Sequence, residues 1–451
     1  MQVVTIETPP LGDRSYLVHD GAVALVVDPQ RDTDRVEAAA RQAGVAITHV
    51  AETHLHNDYL TGGPALARDH GAQYLVGAGD DVRVDRTPVT DGETFRVGEL
   101  DVRVVATPGH TQGHVAYVVR HSGDEAVFSG GSLLYGSVGR TDLVSPDDTE
   151  PLTRHQYRSV RRLAEAVSGD AALYPTHGFG SFCSSGPSSD ASSSTIGEQR
   201  RSNHALTDDD EDHFVRELVA GLTAYPSYYA HMARQNAAGP SRPDLTVPEP
   251  LDAEELTRRL RAGEWVVDLR NRVAYASDHL AGSVSFEYAD GSSFTTFLGW
   301  VLPYGDPITL VGAGDDVRAA IRDLSRIGID SPSVALGDEP ADVAPQAPTA
   351  SYPRVGWHEV RGAVGQDGEV VLDVRRTDEF EESRIEGAVN VPVHELLARH
   401  RELPTGRLWV HCESGYRSGV AASLLQRAGR DVVHVDAAFE DARTAGLPVV
   451  P

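Results

Sequence analysis

Three histidine-bearing segments and one cysteine loop hold the side chains whose types and spacing could do chemistry. The stretch THLHNDYLTGG places His54, His56 and Asp58 close together, with Tyr59 beside them. TPGHTQGH adds His110 and His114, and YPTHGFGSFC adds His177 and Cys183. His and Asp ligands gathered from several loops suit zinc or iron(II). One metal ion, Fe(II) or Zn(II), is therefore expected among His54, His56, Asp58, His110 and His177; His114 reads as a packing residue. Near the other end, LWVHCESGYRS delivers Cys412 at the end of an apolar run, followed by Ser414, Gly415, Tyr416, Arg417 and Ser418. A strand, a short glycine loop and a helix in that order aim backbone N–H groups and a helix N-terminus at the sulfur. Arg417 adds a cation near the cradle formed by Ser414, Gly415, Tyr416 and Ser418, which favours a thiolate or a bound anion. Cys412 and Arg417 are thus the expected catalytic pair, a thiolate that attacks a sulfane sulfur and carries it as a persulfide.

The elements around these residues alternate. AVALVVDP reads as a strand ending at Asp28, DRVEAAARQAGV as an amphipathic helix, and ITHVAETH as a strand running into the histidines. LDVRVVATPGH and EAVFSGGSLL repeat the theme of polar groups delivered at a strand's end, where layered α/β enzymes build their sites. SSGPSSDASSST, residues 184–195, reads as a Ser-rich turn segment, and a helical stretch is expected from about Asp210 to Asn236. AAGPSRPDLTVPEP then reads as a linker.

Beyond it lies an internal repeat. WVVDLRNRVAYASDHLAGSV and VVLDVRRTDEFEESRIEGAV share one pattern, with Asp268 and Asp373 105 apart (373 − 268) and Gly282 and Gly387 also 105 apart (387 − 282). EPADVAPQAPTASYP separates the copies. The expected domains are residues 1–245, 250–345 and 353–451, all α/β. In the middle copy ITLVG puts Gly312 where the last copy has Cys412, and Asp315 and Asp316 bring negative charge to the loop. Scaffolding or docking, not sulfur transfer, is expected there.

Composition narrows the classes. A net charge of −27 opposes nucleic acid and anionic membrane as partners. All 40 basic residues are arginine, so no lysine can act as base, Schiff-base former or phosphate clamp. The two cysteines, Cys183 and Cys412, lie far apart and argue against a disulfide framework. No apolar run approaches the ~20 residues of a membrane span, and the alternating N-terminus does not read as a secretory signal. A cytoplasmic location is the expectation.

The first 240 residues resemble the metallo-β-lactamase superfamily and, within it, the persulfide dioxygenases. The resemblance rests on THLHNDYLTGG, TPGHTQGH, GSLLYGSVGRTDL and HGFGSFC followed by STIGEQRRSN. It implies an αββα sandwich and a mononuclear iron(II) held by two histidines, here His54 and His110, and an aspartate. Two positions depart from the pattern: Gly131, in FSGG, stands where the family has that aspartate, and Tyr59 stands at the last histidine of the first motif. Three outcomes follow. His56 completes a three-histidine site, or Asp58 or His177 ligates instead, or the site holds metal weakly and has lost its chemistry. Tyr59, Arg140 and Cys183 are expected beside the pocket, as supports of the ligands or contacts to substrate; a plain ion pair with Asp142 is the other reading of Arg140.

The last module resembles the rhodanese family through LDVRRTDEFEESRIEGAVNVP and CESGYRS. The two resemblances together imply an enzyme of sulfur metabolism. It would oxidise low-molecular-weight thiol persulfides at the metal and pass sulfane sulfur from these or another donor through Cys412. A zinc-dependent thioester hydrolase of the glyoxalase II type, with the rhodanese as helper, is the alternative; a sulfur carrier with a decayed metal site is a third reading. The assembly is left open, a homodimer included.

Overall fold

The computed structural model describes residues 1–186 and 191–451, so part of the Ser-rich segment, residues 187–190, lies outside the described residues. The chain divides into two compact units, Met1–Pro243 with Ser325–Gly328, and Asp244–Leu324 with Ile329–Pro451.

The first unit is built on two six-stranded sheets. One takes strands Gln2–Thr8, Asp13–His19, Val23–Val27, Ala46–Ala51, Gln73–Gly77 and Thr87–Val89 in that order. The other runs Ser194–Thr195, Ala172–Pro175, Asp124–Gly130, Val115–His121, Leu100–Ala106 and Thr94–Val97. Alternation along the strands sends one set of side chains between the sheets, where Val18, Leu25, Leu75, Val104, Tyr117 and Phe128 close-pack. The opposite set meets helices. Val36 and Ala40 of helix Asp34–Ala43 and Leu66 of helix Gly63–His70 cover the first sheet. Val160 and Leu163 of helix Thr149–Glu165, with Phe214 and Leu218, cover the second. This is the αββα layering that the resemblance implies.

The expected helix from about Asp210 to Asn236 is instead two helices, Glu211–Ala220 and Tyr229–Ala238. Pro226 lies in the gap, where it lacks an N–H to donate and disfavours helical backbone in the residue before it.

Strands Val23–Val27, Ala46–Ala51 and Gln73–Gly77 run parallel, as do Asp124–Gly130 and Ala172–Pro175. Their C-terminal ends therefore deliver Asp28, the run from Glu52 to Asp58, Asp80, Gly131 and His177 into loops at the ends of parallel strands.

The second unit holds two parallel sheets of the same strand order. The first is Val284–Ser285, Trp265–Asp268, Ile308–Gly312, Ser333–Leu336. The second is Val389–Asn390, Glu369–Asp373, Arg407–His411, Val432–Val435, with Arg354–Val355 added at the edge. Asp268 pairs with Val311 as Asp373 pairs with His411, so the next residues, Gly312 and Cys412, occupy equivalent places.

Candidate metal centre and cysteine loop

The candidate ligand histidines of the first unit converge although they come from three loops. One ligand atom each of His54, His110 and His177 lies within 4.8 Å of the others, and so does one each of His56, Asp58 and His177. All five residues are buried. Of the candidate ligands, His177 thus stands beside His54 and His110, and His56 stands in the overlapping group with Asp58.

Hydrogen bonds fix the tautomers. Thr53 Oγ1 donates to Asp28 Oδ2 at 2.8 Å, so it accepts from His54 Nδ1 at 2.9 Å and leaves His54 Nε2 as the ring's acceptor. The Arg140 carbonyl only accepts, so the 2.6 Å contact to His110 puts the proton on Nδ1. His110 Nε2 is then a buried acceptor with no hydrogen-bond partner. Burial, followed by the neighbouring imidazoles, holds His54 well below the ordinary histidine range, and burial and His177 pull His110 down to about 3. Both rings are neutral, the form that ligates.

His177 is different. Its Nδ1 lies 2.8 Å from Asp13 Oδ1 and 3.1 Å from Asp58 Oδ2, and its Nε2 is 3.3 Å from His54 Nε2. Burial alone would lower it, but the Asp58 and Asp13 carboxylates override that and raise it well above the usual value. His56 Nε2 meets Tyr59 Oη at 3.0 Å, Asp28 Oδ1 at 3.2 Å and Glu52 Oε2 at 3.4 Å. Against the pull of burial these carboxylates raise His56 to about 9. Its Nδ1 and Asp58 Oδ1 are both buried with no hydrogen-bond partner. Orphaned lone pairs on Asp58 and His110, each costly to leave unmade in a dry interior, are what a cation would satisfy. The donor set fits a metal.

Gly131, at the place of the missing aspartate, has a second consequence. A Cβ there would fall 2.2 Å from His110 Cδ2, so the ring fills the space a side chain would need. His114 is used structurally, as expected: its Nε2 accepts from the Gly131 N–H at 3.0 Å and its Nδ1 meets Thr107 Oγ1 at 2.8 Å. Arg140 grips Asp142 through Nε at 2.7 Å and Nη2 at 2.8 Å, and also donates to the Phe182 and Thr223 carbonyls. Its guanidinium is committed to protein partners, and its link to the site is the carbonyl that orients His110. Tyr59 supports His56. Cys183 is buried against Asp58; burial first and that charge second push its thiol well up, so it stays protonated.

Sequence reasoning missed Asp13, Thr53 and Glu52. Asp13 reaches the site from 164 residues before its partner His177, with no local signal. Asp28 was legible only as a strand end. It takes a φ of 52°, a left-handed conformation rare outside glycine, and accepts from the Thr53 N–H and the Thr53 and Thr176 hydroxyls.

In the second unit Cys412 follows strand Arg407–His411 and precedes helix Tyr416–Arg427. Gly415, at φ 95°, turns its N–H onto Cys412 Sγ at 3.2 Å, and Ser418 Oγ lies 3.4 Å from the sulfur. Ser418 Oγ donates within the loop to the Gly415 carbonyl at 3.0 Å, with the Val435 carbonyl at 3.1 Å. Ser414 is exposed, and the Tyr416 hydroxyl is buried with no hydrogen-bond partner. Arg417 forms a two-pronged pair with Glu379 at 2.6 and 2.7 Å, so its charge arrives at the cradle already partnered. Glu413, next to the cysteine, lies 3.6 Å from Arg375 Nη1.

Comparison with known proteins agrees with this division. Residues 9–195 match the metallo-beta-lactamase superfamily, and residues 357–444 match the rhodanese-like domain. The hydroxyacylglutathione hydrolase of Brucella anthropi is 33% identical over 36% of this chain and 59% of its own length; that of Rhodospirillum rubrum is 39% identical over 28% and 49%. The chain thus spans only half to three-fifths of these two relatives. Persulfide dioxygenase ETHE1 of Homo sapiens is 29% identical over 44% of this chain and 70% of its own. Among solved structures, a metallo-beta-lactamase from Staphylococcus aureus subsp. aureus COL superposes with a TM-score of 0.67 at 26% identity, covering 75% of this chain and 99% of that one. Among the described residues no helix is long and apolar enough to cross a membrane. The chain joins a metallo-β-lactamase domain, with persulfide dioxygenase ETHE1 among its homologues, to a C-terminal rhodanese-like domain.

Proposed function

We propose that the protein is a persulfide dioxygenase–sulfurtransferase acting on low-molecular-weight thiol persulfides. The observation that carries the reading is the presence in one chain of a buried histidine group and of a cysteine held under a backbone N–H. His54, His110 and His177 would hold the metal, with Asp58 supplying the nearby carboxylate that position 131 lacks. Iron(II) bound there supplies the O2 chemistry that takes a persulfide to sulfite.

The chain's own contribution at that site is to keep His54 and His110 neutral and aimed, through Thr53 and the Arg140 carbonyl. At the other site the Cys412 thiolate attacks the outer sulfur of R–S–SH. The Cys412 Sγ–S bond forms, the R–S–S bond breaks, and RS⁻ leaves with the electron pair. The Gly415 N–H stabilises the charge on Sγ before attack. The middle module, with Gly312 in the nucleophile's place, has no group for this step and serves as scaffold.

Thioester hydrolysis is the second reading, favoured by the two hydrolase relatives and by the His56–Asp58–His177 group. Metal analysis of anaerobically purified protein, paired with O2 uptake on glutathione persulfide, tests both. Iron with O2 uptake is the expected result. Zinc with thioesterase activity would replace the proposal by the hydrolase, and neither activity would leave a sulfur carrier. A Cys412→Ser variant that keeps full sulfurtransferase activity would overturn the role of the last module.

A further inference from the structure

Within the second unit, the module that lacks the nucleophile packs along helix Tyr416–Arg427, which follows the cysteine loop. The Ser285 N–H donates to Ser423 Oγ at 2.9 Å, and Arg427 donates to the Gly282 carbonyl at 2.6 Å. One side chain of that module reaches the loop itself. Arg272, at the start of helix Arg272–Ser277, donates through Nε to Asp436 Oδ1 at 2.8 Å and through Nη1 to Glu287 Oε2 at 2.6 Å. Asp436 follows strand Val432–Val435 of the last module, and Arg354 holds its other oxygen at 2.9 Å.

This ion pair rests on the residue that presents its N–H to the sulfur. A Cβ at Gly415 would collide with Asp436 Oδ1 and lie 3.1 Å from Arg272 Nε. One helical turn on, a Cβ at Gly419 would lie 3.4 Å from Arg272 Cβ. Gly415 takes a φ of 95°, a turn open to glycine, and its N–H meets Cys412 Sγ at 3.2 Å. The His434 bond fixes the Gly415 carbonyl, and the carboxylate packed on Cα keeps the residue from turning its N–H away from Sγ. The Asp436 side chain is 8% exposed, so the pair is not a solvent-screened contact of little weight.

We propose that Arg272, contributed by the module without a nucleophile, is a positioning residue for sulfur transfer: it holds Asp436 against Gly415 and so keeps the Gly415 N–H on Cys412 Sγ. The inference rests on Cys412 being the sulfur-carrying residue. It gives the middle module a part in that reaction through one charge, beyond its bulk as scaffold.

The test uses the full chain and two readouts. One is alkylation of Cys412 by iodoacetamide, followed by peptide mass spectrometry; the other is steady-state sulfur transfer from glutathione persulfide to cyanide. In Arg272→Gln, Asp436 keeps Arg354, so the fold is retained. This variant is expected to lower kcat about tenfold, with the KM for the persulfide moving less than about twofold. Alkylation should slow by a similar factor, because the thiolate loses its donor. A loop that merely loosened would expose the sulfur and alkylate faster. Arg272→Lys, which keeps a cation for Asp436, should recover most of the loss. Ser423→Ala, which removes a bond between the same modules away from the loop, should keep both rates. Unchanged or faster alkylation in Arg272→Gln would overturn the proposal, as would a lysine variant no better than glutamine or an equal loss in Ser423→Ala. Slower alkylation in Arg272→Gln, with no sulfur transfer by the wild type, leaves the positioning standing and removes the sulfurtransferase reading. Equal transfer by the wild type and Arg272→Gln removes the positioning alone.

Discussion

Gly131 and His110 share one volume: a Cβ at position 131 would fall 2.2 Å from His110 Cδ2 and 2.7 Å from its Nε2. Gly139 closes in from another direction, its own Cβ position being 2.8 Å from His110 Nδ1. The absence of a side chain at 131 and the seating of the ring therefore depend on each other, and a side chain there would displace the His110 ring. Gly131→Ala is expected to lower metal affinity about 10- to 100-fold, the range seen when a ligand's support is disturbed. Gly131→Asp should not improve on the wild type. Competition with a chelator measures both, and an aspartate variant that binds metal more tightly would contradict this account.

Thr53 is the hinge of the His54 tautomer, donating to Asp28 and accepting from His54 Nδ1. Thr53→Val keeps the shape and removes both bonds, leaving the buried His54 N–H without a partner and Asp28 Oδ2 with the Thr176 hydroxyl alone. The expected loss is about 1–3 kcal/mol in stability, with metal affinity falling about tenfold or more. Urea denaturation of the metal-free protein and metal titration separate the two effects. Wild-type values in both would show that Thr53 does not orient the ring.

At the cysteine loop two carboxylates stand against anionic donors, Glu379 paired with Arg417 and Glu413 beside Cys412. The protein is expected to use a thiol persulfide in preference to thiosulfate. Glu413→Gln should lower the KM for thiosulfate about two- to fivefold, a modest change because the group is half exposed and screened. The KM for a neutral persulfide should hardly move. A wild-type preference for thiosulfate by a wide margin would refute the electrostatic argument.

Much of this was legible in residue order, and the reasons differ by element. The sandwich and the repeat could be read because strand ends carry polar residues and Asp268 and Asp373 keep one spacing. Cys412 could be read because its strand, loop and helix are contiguous. Which candidate stands beside His54 and His110 could not, because His56 lies two residues from His54 whereas His177 joins it from 123 residues away. Nor could the fate of Arg140, whose side chain is taken up by Asp142 and by carbonyls from two distant loops. The break in the expected helical stretch after Ala220 was signalled by Pro226.

His434 offers a test of how the loop's fold depends on pH. Its Nε2 donates to the Gly415 carbonyl at 2.9 Å, which holds the turn that presents Gly415 N–H to the sulfur. Burial pulls this imidazole down to about 4, with the Asp436 carboxylate and the Gly415 bond only partly opposing it. The folded value lies below the unfolded one of ~6.5. The stability is therefore fully present above about pH 6.5 and is lost as pH falls from there through 4. Between pH 7 and 4.5 this one group should cost about 2 kcal/mol. His434→Gln cannot take up that proton, so its stability should fall by about that much less than the wild type's across the same interval. Chemical denaturation at the two pH values gives the comparison, and parallel pH profiles for the two proteins would show that His434 is not buried neutral.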